Sequence, residues 1–248
     1  MLLPYHQLRG RLGGGDLHPG GTQATAIILR WLAERGVRRV LEAGAGIGNT
    51  AMRMAALGWD VTALEPDPVL FQTLEARLGS GARCESLLSH NAQQPYDALI
   101  AESVFCVLDL AAALAHAGTL LKPGGYLALV DAVWTDKVTA AESSYWHDRT
   151  QHLFGIPVGS RERLTRQDWC TQLQAAGFVS EHTLALPPGS AGTPPSGDWR
   201  ASLRAMIRDP RLLLWMTRYR MRMRGARPPA GSLESLIFIA RWSGARQN

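Results

Sequence analysis

Three glycines alternate at positions 44, 46 and 48 in the segment VLEAGAGIGNT, directly after an apolar run and before a predicted helix. Glycines here let the backbone pass close to a ligand at the carboxyl edge of a strand, beside the N-terminus of the next helix. A dinucleotide fingerprint would need its third glycine at position 49, which is Asn49. Glu42, two residues before Gly44, suits a cationic amino group better than a pyrophosphate. The segment therefore predicts a site for a nucleoside other than a dinucleotide.

The elements around this turn alternate between short apolar strands and helices. After Trp134 the alternation stops for about 30 residues, and it resumes with a helix capped by Thr165 and Asp168. This order predicts an α/β fold with a doubly wound, parallel sheet. The predicted strands are RRVLEA, DVTALE, ARCES, YDALIAE, GGYLALVDAVW, FVSEHTLAL and SLIFIARW, and the first predicted helices run from Thr22 to about Arg35 and from about Asn49 to Leu57.

The segment from Glu42 to Gly48 resembles the first motif of class I S-adenosylmethionine-dependent methyltransferases. LLKPGGYLALVD resembles the turn and fifth strand of that family, and the C-terminal segments resemble its sixth strand and its closing antiparallel seventh. The resemblance covers roughly residues 22–136, 165–186 and 233–242. It implies a mostly parallel seven-stranded, Rossmann-like sheet with one antiparallel strand, interrupted by two insertions. It also implies S-adenosylmethionine as the cofactor, with S-adenosylhomocysteine as the product left after methyl transfer.

The same resemblance implies which residues hold the cofactor. Glu42 lies near the methionine amino group in that family, and Glu65 matches the acid that binds both ribose hydroxyls, since a carboxylate can accept two hydrogen bonds. Glu85 matches the polar contact to the adenine amine, and Leu87 would pack on the ring. The full predicted set is Glu42, Gly44, Ala45, Gly46, Gly48, Asn49, Glu65, Pro66, Glu85, Ser86, Leu87 and Glu102.

The predicted acceptor side follows the fourth and fifth strands. Glu102, Ser103 and Phe105 come just past strand four, a position that faces the methyl group in this fold, and Trp134 lies beyond strand five. Glu102 would orient a donor or take a proton; the alternative is an acid stabilising the dipole of a helix N-terminus. A base is needed only if the accepting atom starts out protonated.

The first insertion and the N-terminal arm offer further candidates. Tyr145 and Trp146 could wall the acceptor and His147 could act as a base; the alternative is a packing face with surface histidines. His18, in the glycine-rich arm, could reach the acceptor, or it could belong to a flexible tail. His147 and His152 are five residues apart, the wrong spacing for an HExxH-type pair, so we predict no metal.

The domain prediction assigns residues 1–21 to a loosely structured arm and 22–248 to the methyltransferase domain. Insertions at about 135–164 and 187–232 are predicted to form a cap or lid. Residues 199–227 hold nine arginines and one aspartate, whereas the rest of the chain carries 17 basic and 20 acidic residues. This segment could cover the acceptor, form a homodimer contact, or touch a membrane surface. Nucleic-acid binding is not expected, because no module that reads nucleic acid is visible.

Cysteine content and the lack of long apolar segments limit where the protein is expected to act. We expect a cytoplasmic protein, because Cys84, Cys106 and Cys170 form no disulfide-like pattern and no segment has the character of a signal peptide or a membrane span.

The predicted function is methyl transfer to a small molecule, of the kind found in quinone biosynthesis and secondary metabolism. The alternatives are an arsenite or thiol methyltransferase, a nicotinamide-dependent oxidoreductase, and a non-catalytic cofactor-binding partner subunit.

Overall fold

The computed structural model describes residues 3–13, 18–187, 199–223 and 226–244. Seven strands form one sheet in the order β3-β2-β1-β4-β5-β7-β6. The strands are β1 (Arg39–Ala43), β2 (Asp60–Leu64), β3 (Ala82–Arg83), β4 (Tyr96–Glu102), β5 (Leu121–Trp134), β6 (Phe178–Ala185) and β7 (Leu233–Trp242). The pairs among β1 to β5 are parallel, and β7 runs antiparallel to both β5 and β6. The predicted fold class, including the closing antiparallel strand, is confirmed.

Helices cover both faces of this sheet. They are α1 (Tyr5–Arg11), α2 (Gly21–Ala33), α3 (Asn49–Ala56), α4 (Pro68–Leu78), α5 (Leu110–Leu120), α6 (Ala140–Phe154), α7 (Arg166–Ala175), α8 (Trp199–Arg208) and α9 (Arg211–Met223). In β1, Leu41 belongs to the apolar cluster on one face and Val40 to the cluster on the other. This alternation buries the sheet on both sides, as a doubly wound fold requires.

Helix capping follows the local sequence. The hydroxyl of Thr165 accepts a hydrogen bond from the backbone N–H of Asp168, whose carboxylate accepts the N–H of Thr165. The predicted capping box at the start of α7 is therefore confirmed. Two boundaries differ from the predictions: α2 begins at Gly21 rather than Thr22, and the third strand is limited to Ala82–Arg83.

The N-terminal segment departs most from the prediction. Residues 5–11, expected to be loosely structured, form α1, whose buried Leu8 packs with Leu212 and Tyr219 of α9. Residues 14–17 of the predicted arm and 188–198 of the second insertion lie outside the described residues. The first insertion contains α6, and RYRMRMR, for which strand and helix both remained open, lies mostly in α9.

No helix in the described ranges has the length and the apolar content required to cross a bilayer.

Candidate functional site

The three glycines after β1 serve different purposes. All have a positive φ: 67° at Gly44, 58° at Gly46 and 83° at Gly48. A Cβ at Gly44 would lie 2.5 Å from Val104 Cγ2, and one at Gly48 would lie 2.6 Å from Leu74 Cδ1. A Cβ at Gly46 would have no described atom within 4 Å, and Gly46 lines a cavity of about 380 Å³. Packing thus demands glycine at two positions, and a ligand can approach the backbone at the third.

Two buried glutamates lie in this cavity beside Gly46. Glu42 comes from β1, and Glu65 directly follows β2. Glu65 Oε2 accepts the backbone N–H of Gly46 at 2.7 Å, and its Oε1 accepts that of Asp67 at 2.8 Å. Burial raises the pKa of Glu65, although these two N–H groups oppose the rise. Because each carboxylate oxygen has two acceptor sites, Glu65 can still receive donors from a ligand.

Glu102, the last residue of β4, is held by hydroxyl groups from two helices. Thr25 Oγ1 donates to Glu102 Oε1 at 2.7 Å, and Thr50 Oγ1 donates to Glu102 Oε2 at 2.7 Å. Both threonines are buried. These bonds fix the carboxylate at the cavity wall, between the N-terminal turns of α2 and α3.

His18 lies against the same carboxylate. Its Nε2 is 3.4 Å from Glu102 Oε1 and 3.2 Å from Thr25 Oγ1, while its Nδ1 lies 3.1 Å from the carbonyl oxygen of Pro19. Both ring nitrogens therefore lie within hydrogen-bond or ion-pair distance of groups of the protein. This geometry fits a residue that positions Glu102 better than it fits the predicted proton acceptor.

Helix α1 covers one side of the cavity. His6, Arg9 and Gly10 line it, at the i, i+3 and i+4 spacing of a single helical face. His6 Nε2 lies 3.0 Å from Asp67 Oδ2, and this oxygen also accepts Gln7 Nε2 at 2.7 Å. Although burial opposes it, these bonds keep the pKa of Asp67 below its ordinary value. Arg9 Nε is buried and has no hydrogen-bond partner among the described residues.

The cavity lining also contains apolar side chains. They are Leu70, Val104, Val107, Leu108 and Ile156. Ser103 also lines the cavity and has a φ of 60°, held by a 2.7 Å hydrogen bond from its N–H to the carbonyl oxygen of Val130. Such backbone conformations cost energy and are common where a side chain must be presented to a ligand. The lining thus combines buried acids with apolar side chains.

Comparison with known proteins identifies the family. A family model described as a methyltransferase domain matches residues 18–183. The chain belongs to this methyltransferase family. It is 24% identical over 190 residues to the uncharacterized methyltransferase YodH of Bacillus subtilis, covering 74% of this chain and 78% of YodH.

Solved structures show the same fold. The cyclopropane synthase MmaA2 from Mycobacterium tuberculosis has a TM-score of 0.62 at 16% identity, covering 87% of this chain and 83% of that one. The Burkholderia thailandensis 1,6-didemethyltoxoflavin-N1-methyltransferase has a TM-score of 0.53 at 18% identity, covering 90% and 77%. Its structure contains 1,6-didemethyltoxoflavin and S-adenosylhomocysteine.

Most residues predicted to hold the cofactor do line the cavity of this methyltransferase. They are Glu42, Gly44, Ala45, Gly46, Asn49, Glu65, Pro66, Ser86, Leu87 and Glu102. Gly48 and Glu85 do not. Gly48 caps α3 and packs on Leu74. Glu85 Oε1 instead lies 2.9 Å from Nδ1 of His90, whose Nε2 is 3.1 Å from the Tyr96 hydroxyl.

Two of the residues predicted for the acceptor side belong to the core. Phe105 and Trp134 have no exposed surface, and neither lines the cavity. The indole N–H of Trp134 donates to the carbonyl oxygen of Ser160 at 2.7 Å, which holds β5 to the segment after α6. The expectation that these rings contact the acceptor is corrected to a packing role, because buried aromatic rings contribute a large apolar area to the core.

The candidates in α6 also lie outside the cavity. His147 Nδ1 is 2.8 Å from the carbonyl oxygen of Gly159, and the ring of Tyr145, 53% exposed, packs edge-on against Trp146. Their predicted roles as base and acceptor wall do not fit these positions. From this insertion it is Ile156, just after α6, that reaches the cavity. Of the predicted acceptor-side set, Glu102, Ser103 and His18 are brought together.

Sequence reasoning missed several residues of the site. Thr25, Thr50 and the α1 residues His6 and Arg9 were not among the candidates. A signal for α1 exists in the segment PYHQLRGRL, where apolar residues 5, 8 and 12 recur at helical spacing, next to a second face formed by positions 6, 9 and 10. No local pattern marks the two threonines, because their role arises only when α2 and α3 meet β4.

Proposed function

We propose that the protein transfers a methyl group from S-adenosylmethionine to a small-molecule acceptor. The observation that carries the proposal is the open face of Gly46 between two buried glutamates at the carboxyl ends of neighbouring parallel strands. Glycine there admits a ligand, and the carboxylates match a cationic amino group and a vicinal diol. Membership of the methyltransferase family supports the same reaction.

The residues present fit this cofactor. Glu42 would take its amino group, Glu65 its ribose hydroxyls, and Ser86 and Leu87 would border its adenine. Arg9, whose Nε has no described partner, suits a ligand that carries an anionic group such as the cofactor's carboxylate. When bound, the cofactor supplies an electrophilic methyl group on a good leaving group, so no metal or covalent enzyme intermediate is required.

The chain's own contribution is then positioning. Glu102, fixed by Thr25, Thr50 and His18, lines the cavity together with apolar side chains. We propose that it orients a donor group of the acceptor, while Ser103 and Val104 border the site of transfer and exclude water. Holding two reactants in alignment can lower a barrier substantially without acid or base chemistry. The apolar side chains of the lining favour an acceptor with an apolar face, such as a secondary metabolite.

The cytoplasm is the proposed location. Cys84, Cys106 and Cys170 are all free thiols, which a reducing compartment maintains.

Two measurements test the proposed function. Calorimetric titration should show binding of S-adenosylhomocysteine and none of NADH; the reverse result would favour an oxidoreductase. Incubation with methyl-labelled S-adenosylmethionine and a small-molecule extract should transfer label to a product that mass spectrometry can identify. Binding without any transfer, in extracts that label a known methyltransferase's product, would favour the non-catalytic partner subunit.

A further inference from the structure

The α8–α9 hairpin turns one face inward and one outward. On the inner face Leu212 and Tyr219 are buried with Leu8 of α1, and the Tyr219 hydroxyl donates to the carbonyl oxygen of Leu3. Trp215 of α9 and Met206 of α8 pack against the same cluster. The hairpin is therefore anchored to the protein by one side of its helices, and this anchoring fixes which residues face outward.

The outer face exposes large apolar side chains. Ile207 is 71% exposed and Met221 is 59% exposed. The other members of the group are Leu203 at 45%, Leu213 at 58%, Leu214 at 51% and Met216 at 37%. Six such residues on two adjacent helices exceed the scattered exposure that is normal for a protein surface, and this indicates a contact surface.

Arginines accompany these side chains throughout. Arg204, Arg208, Arg211, Arg218, Arg220 and Arg222 are exposed, and none forms a salt bridge with a carboxylate of the described residues. In α8 the apolar pair 203 and 207 and the basic pair 204 and 208 form neighbouring stripes, each at i, i+4 spacing. The lone acid of the segment, Asp209, accepts the backbone N–H of Arg211.

We propose that the α8–α9 hairpin docks on the surface of an anionic lipid bilayer. In α8, exposed Leu203 and Ile207 form one stripe with Arg204 and Arg208 beside it, as in interfacial helices whose apolar side lies in the acyl boundary. In α9 exposed apolar side chains and arginines alternate around the outward surface of the helix. The arginines would meet lipid phosphates, to which their planar guanidinium groups are well matched. Residues 199–227 carry a net charge of +8, whereas the rest of the chain carries −3, so the excess positive charge is concentrated in the segment that contains the hairpin.

Two other occupants fit this surface less well. Single-stranded nucleic acid is held by aromatic stacking as well as charge, and the six exposed apolar residues are aliphatic or methionine. In a two-fold dimer through the same face, the patch would meet itself and bring the arginines of both copies together. An anionic bilayer satisfies both the charge and the apolar side chains at once. This inference does not depend on methyl transfer.

The test is co-sedimentation of the full chain with vesicles of phosphatidylcholine alone or with 30% phosphatidylglycerol at physiological salt. We expect at least tenfold stronger partition to the anionic vesicles, weakened in 0.5 M NaCl because salt screens the arginines. The variant Ile207→Ser/Arg208→Ser should lose most of this binding. The matched control is Leu57→Ser/Arg30→Ser, which removes one exposed apolar residue and one exposed arginine far from the hairpin in sequence; it should bind as the wild type does.

Three results would overturn the proposal. Equal partition to neutral and anionic vesicles would remove the role of the arginines, and equal binding by the two double variants would place the contact elsewhere. A concentration-dependent doubling of mass, abolished by Ile207→Ser/Arg208→Ser in the absence of vesicles, would identify the face as a dimer contact. The thermal unfolding midpoint of each variant, followed by circular dichroism, verifies an intact fold without reference to the cofactor, so this outcome stays separate from that of the proposed function.

Discussion

The backbone N–H of Gly46 donates a 2.7 Å hydrogen bond to Glu65 Oε2, which ties the turn after β1 to the acid that follows β2. The bond positions the carboxylate next to the one glycine of the motif whose missing side chain opens into the cavity. A single contact therefore fixes both the space for a ligand and the group that would hold it. Removing either partner should affect binding in a way that distant substitutions do not.

Glu65→Ala should weaken the affinity for S-adenosylhomocysteine by roughly 10- to 100-fold, because hydrogen bonds to a charged group contribute about 1.5–3 kcal/mol. Calorimetric titration measures the effect. Glu85→Ala is the matched control, since Glu85 bonds to His90 and does not line the cavity. A larger loss in Glu85→Ala than in Glu65→Ala would restore the predicted adenine contact and contradict the assignment made from the structure.

Gly46→Ala should leave the protein folded and yet reduce binding of S-adenosylhomocysteine by at least tenfold. Gly58→Ala is a close control, because Gly58 also has a positive φ, 75°, and no described atom within 4 Å of its would-be Cβ. Both variants pay the conformational cost of a side chain at positive φ, on the order of 1–2 kcal/mol. Similar melting temperatures with a binding loss in Gly46→Ala alone is the expected result. Unchanged binding in Gly46→Ala would show that the ligand does not approach this backbone.

Thr25→Val should destabilise the protein by about 1–3 kcal/mol, because it leaves a buried carboxylate oxygen of Glu102 without its hydroxyl donor. Thr25→Ser retains the hydroxyl and should lose less of the free energy of unfolding than Thr25→Val does. Urea denaturation of both variants gives the comparison. In a Glu102→Gln background Thr25→Val should cost less stability, since the negative charge that the Thr25 hydroxyl stabilises is absent. Equal stabilities of the valine and serine variants would show that this bond contributes nothing.

Asp131→Asn should change how stability depends on pH. Asp131 is fully buried, and this burial raises its pKa to about 7. The folded state binds this proton more tightly than the unfolded chain does. Protonation of Asp131 therefore stabilises the fold fully below pH 3.8, and this stabilisation is lost as the pH rises towards 7. The free energy of unfolding should change by at most about 4 kcal/mol over this pH range.

Urea denaturation of the wild type and Asp131→Asn at half-unit steps from pH 5 to 8 measures this difference. The stability of the wild type relative to the variant should fall up to about pH 7 and then level off. The acids whose pKa values are lowered, such as Asp67 and Asp97, titrate below this window and are common to both proteins. Parallel curves would mean that Asp131 is not perturbed by burial.

The alternation of strands and helices along the chain, and the place of Glu42, Gly46 and Glu65 at the ends of the first two strands, could be predicted from the sequence for a physical reason. Periodic apolar runs define each strand locally, and the carboxyl ends of parallel strands meet at one edge of a sheet. Residues directly after those strands therefore converge whatever the rest of the chain does. The capping box of α7 belongs to the same class, because it involves residues three positions apart.

The directions of individual side chains followed a different rule. Glu85 has the position along the chain that the family pattern requires, yet His90, which also contacts the Tyr96 hydroxyl, offers its carboxylate a partner away from the cavity. Phe105 and Trp134 were predicted to lie beside the acceptor, but both side chains are fully buried in the core. Local spacing places a residue near an edge of the sheet, but neighbours from other elements decide the direction of its side chain.

The α/β class and the glycine turn were thus inherent in the local pattern of the chain, whereas the closing antiparallel strand and the roles of Glu42 and Glu65 were implied by the resemblance to the methyltransferase family. Tertiary structure decided the rest of the site: a seven-residue helix, too short to be stable alone, is held over the cavity by Leu212 and Tyr219 of α9. The hydroxyls that fix Glu102 likewise belong to Thr25 and Thr50, which lie 77 and 52 residues away from it along the chain. Such contacts depend on packing between elements, and no periodicity within one segment records them.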